Sequence, residues 1–531
     1  MANVGPASGQ SRAARPAAGR KWGTLAAVCT ALFVVAVNTT AVNTLLPAIA
    51  DFLHASVSSL GWVVSIYLLV AAALIVTGGE LGDILGRRKI FLLGIALYAV
   101  ASVVIALAQA QWVVILGRGL QGLGAAILMP GSLALIDVAF PEEEQGTAIG
   151  IWGAIGGLGC ALGPLLGGFL TEVASWQGLF WFNLPLLGVA AGVTRWAAAE
   201  SRDESGPHAV DAAGIALFAG GMFALVLALN WAPTAGWGSP RVLALFAAAA
   251  GLLGMFTLLE PRLHCPLVHF ARFRSLPFVG ANIATFVLMW VFIATLYYFN
   301  LYVQHPLLLN LSPISAALAV LPLNLGLFVL SLNSGRILGR FGAQRTITTG
   351  MVLMAVGCFL LSRVAVDTTY ASLWFPLVLV GLGLGLTYSP ASAAAVRAVP
   401  RENAGEASGI NNMSRYLGAT IAIALTTAFY TDAARAALDG ALAQVGVPAA
   451  EQRHLDQVLT SAESAMQSTL AQLDAPIRAA FTAGAREAAV AMFSTAMLIA
   501  AIVAVLGAVS SLALLRAHRS PAAPRHEAPG H

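Results

Sequence analysis

Charged side chains are scarce in this sequence. Asp, Glu, Lys and Arg make up 10% of the 531 residues, whereas soluble proteins carry about 25%. Apolar residues make up 58%, and the mean hydropathy is +0.81. This balance excludes a soluble globular fold. It also excludes a disordered chain, because disorder requires low hydrophobicity and high net charge.

Cysteine is also rare, and no cluster of metal ligands is complete. The four cysteines lie far apart, at Cys29, Cys160, Cys265 and Cys358. His264, Cys265 and His269 are close in sequence, but nothing completes a four-ligand set. We therefore expect no disulfide framework, no metal and no cofactor. The net charge is only +4, without a basic cluster, so we expect no nucleic-acid partner.

The sequence is instead rich in long apolar runs. A membrane β-barrel would alternate apolar and polar residues, whereas uninterrupted runs of about 20 apolar residues predict membrane-spanning helices. The predicted fold class is therefore an all-α polytopic membrane protein with fourteen transmembrane helices. The runs lie near 23–47, 59–78, 90–109, 112–138, 146–171, 178–198, 210–230, 241–259, 277–303, 313–333, 346–364, 371–393, 404–430 and 487–515.

The distribution of basic residues predicts the orientation. Most Lys and Arg fall in segments that share the side of residues 1–22, and basic loops stay in the cytoplasm. Both termini are therefore predicted to be cytoplasmic, with 1–22 as an N-terminal tail and 516–531 as a disordered tail. The long stretch 431–486 is expected to form an outward helical hairpin or lid. A solvated loop without a role is the alternative.

An internal repeat divides the chain into two halves. Segment 79–89 reads GELGDILGRRK after the second run, and segment 335–345 reads GRILGRFGAQR after the tenth. Their glycines align at both ends, and a basic residue closes each segment. We expect two six-helix halves, 23–200 and 263–515, with an inserted helix pair in 201–262. Parallel repeats of this kind are typical of transporters.

Several motifs resemble those of the major facilitator superfamily, in particular its fourteen-helix drug:H⁺ antiporter branch. Segment 79–89 is similar to the loop between helices two and three, 118–125 to the fourth-helix motif, and 153–168 to the fifth-helix antiporter motif. Segments 62–68 and 411–418 resemble helices two and thirteen. The resemblance covers about 25–515. One departure is Asn38, where the family usually has Asp.

The resemblance implies a secondary-active exporter of small amphipathic drugs or antibiotics, working by proton antiport with alternating access. Its partners would be a small-molecule substrate, protons and the lipid bilayer of a bacterial cytoplasmic membrane. We expect a monomer and no enzyme activity. The alternatives are an exporter of a metabolite or lipid-like molecule, a carrier not coupled to protons, and a non-transporting sensor or scaffold.

The loop motif carries a candidate conformational latch. A carboxylate here can accept hydrogen bonds from a helix N-terminus and pair with a base. The alternative is a tight turn whose charges keep the loop in the cytoplasm. The predicted latch residues are Gly79, Asp83, Gly86, Arg87 and Arg88.

Polar residues inside the runs are the candidates for proton and substrate binding. An Arg at a helix centre costs about 2.5–3.5 kcal/mol on insertion scales, so we expect Arg118 to face the interior rather than snorkel to the surface. The candidates are Arg118, Gln121, Asn38, Asn43, Asp137, Glu406 and Arg415, with His305 as a further proton carrier. The cavity candidates are Trp62, Tyr67, Trp290 and Asn411, which could equally face lipid.

Small residues at a spacing near four characterise the predicted fifth helix. Such spacing lets two helix backbones approach each other, and a proline permits a bend. A pliable seal against leakage is the functional interpretation, and ordinary helix packing is the alternative. The residues are Gly159, Gly163, Pro164, Gly167 and Gly168.

The latch hypothesis makes a direct prediction. Asp83→Asn removes the negative charge while keeping the size of the side chain, so transport should fall while membrane insertion is unchanged. Drug efflux and protein content are measured in the same membranes. Wild-type transport by this variant would contradict the hypothesis.

Overall fold

The computed structural model describes residues 18–53, 57–202, 212–262, 275–399, 404–444 and 474–515. These ranges contain fourteen α-helices, the shortest of 19 residues. Their bounds are α1 Ala18–Leu53, α2 Val57–Leu85, α3 Arg87–Ala106, α4 Gln111–Ala139, α5 Glu142–Val173, α6 Gly178–Ala197, α7 Ala212–Ala235, α8 Pro240–Leu259, α9 Leu276–Gln304, α10 Pro313–Phe341, α11 Ala343–Leu361, α12 Trp374–Arg397, α13 Ala404–Gln444 and α14 Ala475–Leu514.

Eleven of these helices are long and apolar enough to cross a membrane. The other three, α2, α6 and α13, do not meet that test within the described residues, although α2 contains a shorter apolar stretch, Leu60–Ile75. The prediction of an all-helical membrane protein is confirmed. The count of fourteen crossings and the cytoplasmic termini stay predictions.

The helices pack as two copies of one arrangement. In the first copy α1 packs against α4, α5 and α6, α4 packs against α2 and α3, and α3 packs against α6. In the second copy α9 packs against α12, α13 and α14, α12 packs against α10 and α11, and α11 packs against α14. Every pair in the first list has its counterpart eight helices later. We call α1–α6 the N half and α9–α14 the C half.

Two equivalent seams join the halves. Helix α2 packs on α13, and α5 packs on α10. The pair α7 and α8 lies outside this bundle, where α7 contacts both α2 and α13. Segment Pro240–Arg262 contains α8. Of its most apolar stretch of 18 residues, only 17% is buried within the protein. Most of α8 is therefore available to lipid.

The stretch 431–486 is largely helical where it is described. Helix α13 continues to Gln444 and α14 already begins at Ala475, so both extend beyond the apolar runs. Leu438 and Leu442 of α13 pack against Phe481 and Ala485 of α14 in a buried cluster. The base of this stretch is thus a helical hairpin. Residues 445–473 lie outside the described residues.

Glycine allows helix backbones to touch at several crossings. A Cβ on Gly381 of α12 would lie 2.1 Å from the Leu323 carbonyl oxygen of α10. In the N half, a Cβ on Gly78 of α2 would lie 2.2 Å from the Ala126 carbonyl oxygen of α4. No side chain fits at these distances, so the α2–α4 and α10–α12 crossings both depend on a glycine.

The α10–α12 crossing gives a stability prediction. Gly381→Ala should lower the free energy of unfolding by about 1–3 kcal/mol, because overpacking forces two backbones apart. Gly251→Ala in α8 is the matched control, since a Cβ there meets nothing within 4 Å. The measurement is thermal unfolding of both purified variants in detergent. Equal midpoints for the two would contradict the prediction.

Candidate functional site

Arg118 lies in α4 with its side chain fully buried. Its Nε donates to the Val63 carbonyl oxygen at 3.0 Å, and its Nη1 donates to Gln121 Oε1 at 2.8 Å. The guanidinium carbon lies 4.2 Å from the centre of the Tyr67 ring, whose face attracts a cation. Nη2 has no hydrogen-bond partner among the described residues. Arg118 therefore points into the bundle and does not snorkel to its surface.

A chain of hydrogen bonds runs from this arginine across the N half. Gln121 Nε2 donates to Ser102 Oγ at 3.0 Å, and Asn183 Nδ2 donates to the same oxygen at 3.1 Å. Asn183 and Asn38 then form a reciprocal amide pair with distances of 2.8 and 3.1 Å. All of these side chains are buried. We call Arg118, Gln121, Ser102, Asn183 and Asn38 the N-half network.

The two asparagines of α1 have different surroundings. Asn38 Nδ2 donates both to Asn183 and to the Val34 carbonyl oxygen at 2.8 Å. Asn43 Nδ2 donates only to carbonyl oxygens one turn earlier, while its Oδ1 has no partner among the described residues. Only Asn38 is therefore part of the network, and Asn43 presents an unsatisfied acceptor.

The C half contains a second arginine network. Arg415 Nη2 donates to Ser392 Oγ at 2.8 Å, and Ser392 donates to Asn411 Oδ1 at 2.9 Å. Asn411 Nδ2 donates to Thr285 Oγ1 at 2.8 Å and to Asn282 Oδ1 at 3.3 Å. We call these five residues the C-half network. It joins α9, α12 and α13.

Arg415 repeats the stacking of Arg118. Its guanidinium carbon lies 4.2 Å from the centre of the Tyr388 ring, and its buried Nε has no partner among the described residues. Unlike Arg118, Arg415 is only partly buried. Each half thus presents one arginine on a tyrosine face with an N–H group left over.

The two networks approach each other at the centre of the protein. Tyr416 of α13 lies near Tyr67 of the N half and near Arg415 and Tyr388 of the C half. Cys160 of α5 lies near Arg415. Both arginines, with their tyrosines, therefore belong to one central region.

Carboxylates are not brought to this region within the described side chains. Asp137 is exposed and lies 19 residues beyond Arg118 on the same helix, which corresponds to about 28 Å. The side chains of Asp83 and Glu406 lie outside the described residues. The structure therefore separates Asp137 from Arg118.

His305 lies just beyond the end of α9. Burial lowers the pKa of His305 to about 4, and its Nδ1 accepts a hydrogen bond from the Leu307 amide at 3.3 Å. Both observations favour the neutral ring. The group therefore stays neutral through the physiological pH range, which argues against a role in proton exchange.

The glycines of α5 pack on α1. A Cβ on Gly163 would lie 2.0 Å from Thr40 Oγ1, and one on Gly159 would lie 2.8 Å from the Ala36 Cβ. Gly167 likewise faces α1, through Leu45 and Ala41, while Pro164 lies inside the helix. These residues fix the spacing of two helices within the N half, which is what the packing alternative requires.

Gly168 makes a different contact, because it faces the other half. A Cβ there would lie 2.6 Å from the Pro313 carbonyl oxygen at the start of α10. One turn on, Glu172 Oε1 accepts a hydrogen bond from the Ile314 amide at 3.2 Å. A carboxylate at a helix N-terminus is favourable for both the free amides and the helix dipole.

Further hydrogen bonds cross between the halves. Gln304 Nε2 donates to the Thr44 carbonyl oxygen at 3.2 Å, and Asn324 Nδ2 donates to the Ala161 carbonyl oxygen at 3.3 Å. The Glu172 and Gln304 contacts lie at the end of the bundle where α1 and α9 finish. The halves are therefore fastened together at that end.

The predicted latch segment forms the opposite end. Gly86 separates α2 from α3 with φ +116°, and Gly342 separates α10 from α11 with φ +79°. Both are conformations that side chains with a Cβ rarely adopt. The repeat seen in the sequence therefore places the same backbone turn in each half.

Glu200, which lies in none of the motifs, caps the start of α3. Its Oε1 accepts from the Arg88 amide at 3.1 Å, and its Oε2 lies 3.7 Å from Arg88 Nε. The Arg87 amide donates to the Ser201 carbonyl oxygen at 3.0 Å. Because α3 and α6 belong to the same half, these contacts stiffen that half rather than join it to the other.

Three further predicted residues, Trp62, Gly79 and Trp290, lie outside the two networks. The ring of Trp62 lies 5.9 Å from that of Phe223 in the inserted α7, so it faces the inserted pair and not the centre. Gly79 meets only Pro130, at 3.4 Å, which is an ordinary contact, whereas the neighbouring Gly78 makes the close approach. Trp290 is buried in α9, and its Nε1 has no partner among the described residues.

The sequence analysis missed Glu200 and five residues of the two networks: Ser102, Asn183, Asn282, Thr285 and Ser392. Asn183 could have been identified from the sequence, because it is a polar amide within the apolar run 178–198. The three described cysteines, Cys29, Cys160 and Cys358, are free, and the described residues hold no group of three or more potential metal ligands. His264, Cys265 and His269 lie outside the described residues.

Comparison with protein families decides the identity. Residues 28–423 match the Major Facilitator Superfamily. The chain belongs to this superfamily. Membership indicates a multi-pass membrane transporter rather than an enzyme.

Relatives within the superfamily are resistance and efflux proteins. A tetracenomycin C resistance and export protein of Streptomyces glaucescens is 36% identical over 77% of this chain and 75% of its own. A puromycin resistance protein of Streptomyces alboniger is 34% identical over 79% and 84%. The multidrug efflux pump LfrA of Mycolicibacterium smegmatis is 30% identical over 92% and 96%.

A solved structure supports the fold. The chain aligns with a bacterial homologue of the human lysosomal transporter Spinster, in an inward-facing and unoccupied conformation, with a TM-score of 0.65. The alignment covers 95% of this chain and all of the other at 15% identity. At this identity the likeness concerns the major facilitator fold alone.

The junction between α2 and α3 yields a test of the Glu200 contact. A Cβ on Gly86 would lie 2.7 Å from Glu200 Oε1, whereas one on Gly342 meets nothing within 4 Å. Gly86→Ala should cost about 1–3 kcal/mol of stability through its backbone alone. Displacing Glu200 from the Arg88 amide should add about 1 kcal/mol.

The added cost is isolated by repeating Gly86→Ala in a Glu200→Ala background. There the destabilisation should shrink, while that of the matched control Gly342→Ala should be the same in both backgrounds. Thermal midpoints of the purified proteins give the comparison. An unchanged cost of Gly86→Ala would show that Glu200 does not couple to this turn.

Proposed function

We propose that this transporter exports small amphipathic drugs or antibiotics across a bacterial cytoplasmic membrane by alternating access. The observation that carries this proposal is the central region, where one arginine on a tyrosine face comes from each half. A substrate bound there would contact both halves at once. The resistance and export proteins among the relatives support drugs as the cargo.

The proposed membrane arrangement has fourteen crossings with both termini in the cytoplasm. Helices α2, α6 and α13 would cross together with the eleven apolar helices, because they pack within the same bundle. Residues 1–22 and 516–531 would be cytoplasmic tails, 23–200 and 263–515 the two halves, and 201–262 the inserted pair and its linkers. The hairpin in 431–486 would then lie outside, and Gly86 and Gly342 would face the cytoplasm.

The hydrogen bonds between the two halves define how alternating access would work. The Glu172–Ile314 and Gln304–Thr44 contacts would close the outer end, and substrate would enter from the cytoplasm. Export would require these hydrogen bonds to break as the halves rock. Rigid-body rotation between packed units is a common transition of this kind.

We propose that export is coupled to proton antiport. The proton cannot be carried at Asn38, the position in the first helix where the family usually has Asp. An amide does not exchange a proton at physiological pH, and Asn38 is held in a reciprocal pair with Asn183. Asp83, Asp137 or Glu406 would have to carry the proton. A carrier not coupled to protons is the second candidate, and the same amide pair favours it.

Two assays test the proposed function. Expression in a host stripped of its own efflux pumps should raise resistance to tetracenomycin C several-fold over a vector control. In everted vesicles, labelled tetracenomycin C should accumulate inside. A host with unchanged resistance and vesicles without accumulation would refute drug export.

Coupling is read in the same vesicles with a pH-sensitive dye. Tetracenomycin C should release protons from acidified vesicles if transport is antiport, and Asp83→Asn, Asp137→Asn and Glu406→Gln identify the carrier by loss of that release. Accumulation of tetracenomycin C without proton release would select the uncoupled carrier.

A further inference from the structure

The central region holds two cations and, within the described side chains, no anion in contact with them. Arg118 and Arg415 hydrogen-bond only to neutral partners, a carbonyl oxygen, an amide and a hydroxyl. Neither takes part in an ion pair in the described part of the chain. Removing an ionic group from water is costly unless charge or hydrogen bonds replace the water.

Both guanidinium groups also keep donors unused. Nη2 of Arg118 and Nε of Arg415 are buried without a hydrogen-bond partner among the described residues. Each guanidinium lies over a tyrosine ring, so any further partner must approach its N–H edge. Arg415 is partly exposed, so part of its guanidinium can be reached although its Nε is buried. Arg118 is fully buried and acts only through its positive charge.

We propose that this site takes aromatic substrates bearing a deprotonated acidic group, a carboxylate or a phenolate, which accepts hydrogen bonds from Arg415. Arg118 contributes positive potential, and the partly exposed ring of Tyr388 supplies apolar contact. The proposal rests on the proposed export function and names its substrate class.

Charge complementarity is the physical reason for the selectivity. A bound anion offsets the charges of the buried Arg118 and the partly buried Arg415, and its hydrogen bonds to a guanidinium are charge-assisted. A cationic substrate would add a third positive charge beside them, and like charges placed together are unfavourable. The Asn38–Asn183 amide pair supplies no negative charge to reverse this preference.

The test uses three probes with the same ring system: pyrenebutanoate, pyrenebutanol and pyrenebutylammonium. Each is titrated against the purified full-length protein, and binding is read as a concentration-dependent rise of the thermal midpoint. The wild type should be stabilised by the carboxylate probe at concentrations at which the ammonium probe has no effect. This comparison needs no variant, so it does not depend on any substitution folding.

Variants of Arg415 then test whether this residue binds the carboxylate group. Arg415→Gln should weaken binding of the carboxylate probe by about 10-fold to 100-fold and leave binding of the alcohol unchanged. Arg415→Lys should lose less, because it keeps the charge but not the planar fork of donors. Arg363→Gln is the matched control, since Arg363 also lies over an aromatic ring, that of Phe359, but is exposed.

Equal or stronger binding of the ammonium probe overturns the proposal, and so does absence of binding by the carboxylate probe. Retained binding in Arg415→Gln overturns the assignment to Arg415. Transport of the three probes by proteoliposomes tests the proposed export separately from the binding of anions. Binding of the carboxylate probe without any transport would refute export and leave the anion site standing.

Discussion

The N half depends on one buried cation. Arg118 can stay inside the bundle only because its hydrogen bonds and the Tyr67 ring replace water. Those contacts tie α4 to α2, and the chain through Ser102, Asn183 and Asn38 continues to α3, α6 and α1. Five of the six helices of this half are therefore linked through a single guanidinium. Helix α5 is the exception, and it packs on α1 through glycines.

This division within the N half matters for motion. A polar network strongly favours one arrangement of its members, because a broken hydrogen bond leaves a buried group unsatisfied. Glycine contacts are less directional, and α5 is also the helix that meets α10 across the seam. Helix α5 stands outside the Arg118 network, although two hydrogen bonds also join it to the half, from Thr40 to the Cys160 carbonyl oxygen and from Trp152 to Ser132. Motion at the α5–α10 seam would leave the hydrogen bonds of Arg118 in place, because none of them involves α5.

The sequence predicted the helices well because the bilayer sets their length. The run 112–138 became Gln111–Ala139, and 277–303 became Leu276–Gln304. At 431–486 we predicted a helical hairpin or lid separate from the runs 404–430 and 487–515, whereas α13 and α14 continue into its described parts. The pairing of Arg118 with Gln121 followed from their spacing on one helix.

Contacts between distant segments could not be predicted in the same way. Ser102 and Asn183 meet Gln121 only because three helices have particular rotations about their axes, which periodicity does not determine when nearly every position is apolar. Trp62 shows the same limit from the other side, since its direction depends on α7, a helix the repeat does not contain. Glu200 was missed because it lies 112 residues from Arg88 and outside any motif.

The inserted pair has a consequence for molecules that dissolve in the membrane. The repeat alone would give the protein two equivalent seams, α2–α13 and α5–α10, facing lipid on opposite sides. Helix α7 contacts both α2 and α13, and no inserted helix covers α5 and α10 in the described ranges. A hydrophobic compound diffusing laterally from one leaflet would therefore meet a covered side and an open side. The two sides that the repeat alone would make alike therefore present different surfaces to the lipid.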